Sequence, residues 1–89
     1  MISHATKGFW KAYRELPPSV RAKAERVFRL WLNDPQHPSL HFKKVHATRP
    51  IYSVRVGDGW RAICVKHEDR FIWFWIGSHS DYDLILSRL

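Results

Sequence analysis

Eighty-nine residues leave room for one domain with one modest core, because so short a chain keeps much of its surface wet even when folded. Fifteen Lys and Arg against eight Asp and Glu set a net charge of +7, spread along the chain, which suits an acidic partner such as nucleic acid or an acidic protein segment. The longest apolar run is six residues, too short to span a membrane, and the single cysteine, Cys64, has no intrachain disulfide partner.

The first twenty residues hold no apolar stretch suited to a signal peptide, so the chain is expected to be cytoplasmic. No repeat or low-complexity tract divides it, and residues 1–89 read as a single domain. Ile2 to Ala5 show no clear alternation. From Thr6, a candidate cap, Phe9, Tyr13 and Leu16 recur at helical spacing with Trp10 beside them. Pro17 and Pro18 stop that helix and open the next, since proline is tolerated in a first turn where its missing N–H has no partner to lose.

Val20, Ala24, Val27, Phe28, Trp31 and Leu32 mark the apolar face of the second helix, and Asn33, Asp34 and Pro35 end it. Arg21, Lys23, Glu25, Arg26 and Arg29 mostly occupy its outer face, a solvated surface or a contact for an acidic partner. The two helices form an antiparallel hairpin able to lay an aromatic stripe on a sheet. Leu40 to Val45 alternates well enough for an extended edge segment carrying Lys43 and Lys44.

Ile51 to Val56 and Trp60 to Lys66 are strand-like runs separated by Gly57, Asp58 and Gly59, a hairpin signal. Cys64 lies inside the second of these, as a buried, inert thiol would. Phe71 to Ile76, six apolar residues in a row, have the composition of a strand covered on both faces. Asp81 to Leu89 fit a short terminal helix that starts at Ser80 or Asp81. The expected class is therefore α+β: a helix hairpin on a small antiparallel meander, closed by a short C-terminal helix.

If the hairpin loop is Gly57-Asp58-Gly59, with Gly59 left-handed, Val56 pairs with Trp60 and Arg55 with Arg61. Tyr52, Val54, Val56, Trp60, Ala62 and Cys64 then share an apolar face, and the two arginines share the other. Paired guanidinium groups repel, so an acidic group or a phosphate has to answer them.

Histidine at a strand's exit among cations suits the cleavage of RNA by its own 2′-hydroxyl. That reaction needs a base, an acid and cations on the developing phosphorane, and no metal. The candidates are His79, Arg61, Arg55, Lys43, Lys44, His41, His46 and Tyr82, with Asp81 and Asp83 nearby. From the residues alone the favoured reading of His79 is a cap for the terminal helix or a filler of the turn. His37, His41 and His46 have a superficial zinc spacing, but no cysteine is near and prolines flank them, so no metal site is assigned.

The element order, a short first strand at Ile2 to Ala5 included, together with F-K-K-V, Y-S-V-R-V-G-D-G-W-R-A-I and W-I-G-S-H-S-D-Y-D, resembles the RelE/ParE toxin superfamily over nearly the whole chain. G-S-H-S-D is similar to the G-T-H-S-D of the YafQ-like branch. The resemblance implies a RelE-like fold and a toxin of a type II toxin–antitoxin module. RelE-like members cut messenger RNA in the ribosomal A site, ParE-like members poison DNA gyrase, and an antitoxin wraps and silences each.

The resemblance places Arg61 at the scissile phosphate and His79 at the terminal catalytic histidine of the YafQ-like branch. Lys43 and Lys44 fall where basic residues line the RNA groove, and Arg55, His41, His46 and Tyr82 are the further candidates for RNA contact. RelE itself has an arginine where His79 stands, and Asp83 occupies the site of an aromatic residue in the YafQ-like pattern, with Tyr82 a substitute for stacking. The expected function is a ribosome-dependent mRNA endonuclease. The alternatives are a ParE-like gyrase inhibitor and an inactive relative that only binds an antitoxin. The implied partners are a cognate antitoxin and mRNA on the ribosome, with operator DNA reached only through the antitoxin; no membrane and no cofactor are implied.

Overall fold

The computed structural model describes residues 2–89. Its elements in chain order are β1 (Ile2–Ala5), α1 (Lys7–Arg14), α2 (Pro18–Asn33), a 3-10 turn (Pro38–Leu40), β2 (Lys43–Lys44), β3 (Ile51–Arg55), β4 (Trp60–His67), β5 (Arg70–Ser78) and α3 (His79–Ser87). One five-stranded sheet has the order β1-β5-β4-β3-β2. The meander β2 to β5 is antiparallel as expected. The sheet as a whole is mixed, because β1 pairs parallel with β5, tied also by the Trp73 indole donating to Ser3 Oγ at 3.1 Å. No helix among the described residues is long and apolar enough to cross a membrane.

Thr6 caps α1, its hydroxyl accepting from the Phe9 N–H at 3.1 Å. Pro18 opens α2, so the hairpin turns where the two prolines stand. Phe9, Leu16, Val20, Ala24 and Trp31 of the hairpin are buried against Val54, Val56, Ala62, Cys64, Trp73 and Ile76 of the sheet. Leu32, expected on that face, is exposed, being one residue past the buried Trp31. The segment expected as an extended edge from Leu40 to Val45 is strand only at Lys43 and Lys44, because Leu40 is spent in a 3-10 turn and His41 takes a left-handed φ of 46°.

β5 lies between β1 and β4, and its apolar run does face two cores. Phe71, Trp73 and Ile76 pack toward the hairpin, while Phe74 and Trp75 pack with Ile51, Ile63 and Tyr82 under α3. Two neighbours can share a side because of a β-bulge: Ile63 pairs with Trp75 and Cys64 with Trp73, which leaves Phe74 as the extra residue.

Candidate functional site

Alternation decides which side chains reach the cleft. Arg55 pairs directly with Arg61, and the Val56 N–H donates to the Trp60 carbonyl at 2.9 Å, as a three-residue loop requires. The left-handed residue is Gly57, φ +70°, rather than Gly59. Tyr52, Val54, Val56, Trp60, Ala62 and Cys64 all join the hairpin core, which leaves Ser53, Arg55 and Arg61 on the opposite face. There His41, Lys43, Ser53, Arg55, Arg61, His79, Tyr82 and Asp83 line one cleft of about 210 Å³.

The two arginines are answered within the loop. Asp58 takes the Arg55 guanidinium in an ion pair, and Arg61 Nη1 donates to the carbonyls of Trp60, Gly57 and Asp58 at 2.7, 3.2 and 3.3 Å. Holding Arg61 by Nη1 alone leaves the rest of its planar fork without a protein acceptor among the described residues. A fork so oriented suits a phosphate oxygen.

α3 begins two residues earlier than expected. Ser78 rather than Ser80 or Asp81 caps it, its hydroxyl accepting from the Asp81 N–H at 3.2 Å, so His79 is the first helical residue. The His79 backbone N–H donates to the Gly59 carbonyl at 2.8 Å, which pins the histidine to the loop that leads into Arg61. Its Nδ1 lies 3.1 Å from Asp83 Oδ2, one helical turn on, and its ring meets Tyr82 edgewise at 5.7 Å.

Several expected groove residues stand elsewhere. Lys44 pairs with Tyr52, a residue of the hairpin face, so by alternation it points away from the cleft that Lys43 lines. His46 Nδ1 accepts from the N–H groups of Thr48 and Arg49 at 3.2 and 3.0 Å while Nε2 meets the Leu89 carbonyl at 3.0 Å. Both its ring nitrogens are thus used to fasten a loop to the end of the chain, outside the cleft. Tyr82 is buried and donates to Ser53 Oγ at 3.2 Å, so it forms the cleft floor rather than a stacking surface. His41 does enter the cleft, with Nε2 3.4 Å from Arg55 Nη1.

Ser53 and the Asp83 contact were not anticipated as parts of the site. Ser53 carried a faint signal, a hydroxyl at an otherwise buried strand position that has to find a partner. No group of three or more His, Cys, Asp or Glu among the described residues is arranged to hold a metal ion. Burial pushes the Cys64 thiol up to about 12, the behaviour of an inert core cysteine.

A family model described as a ParE-like toxin domain matches residues 18–83. Among solved structures, the chain is similar to one in the RelB–RelE antitoxin–toxin complex from Methanococcus jannaschii, at 22% identity and TM-score 0.73, over 91% of this chain and 96% of that one. YafQ from E. coli strain BL21(DE3) matches at 12% identity and TM-score 0.73, over 90% and 94%. The isolated E. coli RelE toxin matches at 14% identity and TM-score 0.65, over 99% and 98%. At these identities the likeness is one of fold. No curated protein matches the sequence significantly.

Proposed function

The chain belongs to the ParE-like toxin domain family, within the RelE/ParE superfamily of toxin–antitoxin toxins, and on that footing we propose that it cuts messenger RNA on the ribosome. The observation that carries this reading is the meeting, in one cleft, of an imidazole with the cations Arg61, Arg55 and Lys43. An inhibitor that acts by binding alone has no need of a titratable ring among phosphate-matched cations.

In the reaction, His79 takes the proton of a ribose 2′-hydroxyl, and the 2′-oxygen attacks the adjacent phosphorus. Arg61, with Arg55 and Lys43, offsets the charge that develops on the phosphorane oxygens. The P–O5′ bond breaks, the expelled 5′-oxygen takes up a proton from solvent, and the products are a 2′,3′-cyclic phosphate and a 5′-hydroxyl. The ribosome holds the message in line, which supplies the orientation that a small cleft with an exposed histidine lacks.

A cognate antitoxin with an acidic segment that folds on binding covers the basic surface in this reading, which the resemblance to a chain of an antitoxin–toxin complex supports. The second reading, a gyrase inhibitor, draws on the ParE-like family match over residues 18–83. Primer extension on a reporter message during induction separates the two. Cuts at codon positions are expected, whereas intact messages accompanied by an SOS response would favour gyrase.

A further inference from the structure

His79 is held at three points. Its backbone is bonded to Gly59, its ring edge rests on Tyr82, and its Nδ1 meets the Asp83 carboxylate. Of the other polar groups lining the cleft, Lys43, Arg55 and Arg61 are cations that cannot accept from an imidazole N–H. His41 is beside Arg55, and the Tyr82 hydroxyl is committed to Ser53. Asp83 is thus the one carboxylate among the described residues that faces the ring.

We propose that Asp83 is a positioning residue, holding the His79 imidazole with its proton on Nδ1 and its lone pair on Nε2. An ionised carboxylate only accepts, so the nitrogen beside it carries the hydrogen in both the neutral and the charged ring. All proton exchange is then directed through Nε2, and the neutral ring is a base at that atom alone. Without such an acceptor, the proton of the neutral ring is free to sit on either nitrogen. The catalytic consequence rests on the nuclease reading; the tautomer does not.

Exposure locates the role. The two side chains are 47% and 64% exposed, and ion pairs that open to water add little to stability. The contact therefore orients the ring rather than holding α3 in place. It is also not carried over from the resemblance, since the YafQ-like pattern has an aromatic residue where Asp83 stands.

The test is the ring ¹⁵N spectrum of His79 in the full chain, at a pH where the ring is neutral. It is paired with single-turnover cleavage of a message bound to ribosomes. The unsubstituted protein should show the Nδ1–H form, Asp83→Ala should lose it, and Asp83→Glu should keep it, with melting temperatures unchanged in both variants. At saturation Asp83→Ala should cut roughly ten-fold more slowly, with a half-saturating concentration that is unchanged or lower because an anion has left a cationic cleft. Asp83→Glu should recover most of that rate. A ring with its proton on Nε2 in the unsubstituted protein, or full cleavage rate in Asp83→Ala, would overturn the assignment. A protein that holds the Nδ1–H form yet leaves every message intact keeps the assignment and removes the nuclease reading instead.

Discussion

On the hairpin side of the sheet, Val54, Ala62, Cys64 and Trp73 meet Ala24 and Trp31 with no charged residue in the cluster, while one residue along the same strands Ser53, Arg55 and Arg61 line a wet cleft. Alternation lets two adjacent residues of one strand serve stability and chemistry separately. The dry side excludes the water and charge that phosphate chemistry requires. The cleft holds little apolar surface of its own, and the second core of Ile51, Ile63 and Tyr82 lies beside it under α3. Substitutions in the hairpin core and at the cleft's polar residues should therefore sort, with large stability losses in the first and large activity losses in the second.

Trp31→Ala strikes the dry side hardest. Trp31 is fully buried and meets Phe42, Phe71 and Trp73 edgewise, so its truncation should cost about 3–5 kcal/mol in urea unfolding, a large share of a small domain's stability. Trp31→Phe should cost far less, since it also removes an indole N–H that has no hydrogen-bond partner among the described residues. A Trp31→Ala protein as stable as the parent would break the comparison.

On the wet side, His79→Ala should slow cleavage by ~10²–10⁴-fold while leaving the unfolding midpoint nearly unchanged. Arg61→Ala should act in the same direction, through loss of charge stabilisation on the phosphorane. Retained cleavage in either variant would remove that residue from the mechanism, and a collapse of stability would place it with the core.

pH separates the two sides again. The folded chain keeps the Cys64 thiol protonated to about 12, whereas the ordinary value is 9.0. Folded chains thus bind this proton more tightly than unfolded ones. The stability it contributes is whole below pH 9 and is lost as the pH rises through that window toward 12. Unfolding free energy should fall more steeply there in the parent than in Cys64→Ala, and Cys64 should resist thiol reagents until the chain unfolds. Equal slopes would show that water reaches the thiol.

Gly57→Ala tests the loop between the sides and has the smallest expected effect. A left-handed φ of +70° should cost alanine about 1 kcal/mol, read from the melting curve. Cleavage should fall as well if the loop carbonyls hold Arg61 Nη1 in place.

Periodicity made most of the fold legible before any coordinates. The proline-linked hairpin, the three main strands and the Arg55–Arg61 pairing follow from helical spacing, β-alternation and loop length. The bulge at Phe74 was not legible, because an unbroken apolar run carries no mark of which residue is left over. The parallel direction of β1 depends on distant Trp73 and Asp69, which four residues without alternation cannot announce. Within the site, His79, Arg61, Arg55, Lys43 and His41 line one cleft. Lys44 and His46 do not, since Lys44 sits on the opposite strand parity and His46 is bonded to the end of the chain. The Asp83 contact depended on placing the helix start at Ser78, and a run of Ser-His-Ser-Asp offers several caps to choose from.

The most direct test of the central claim is cleavage on ribosomes of a message carrying one 2′-deoxynucleotide at the scissile position, beside the same message in all-ribose form. Attack by the 2′-hydroxyl predicts that the all-ribose message is cut, leaving a 2′,3′-cyclic phosphate, and that the deoxy-substituted message stays intact at that position. Cutting of the deoxy-substituted message at that position, or an all-ribose message left whole, would contradict it.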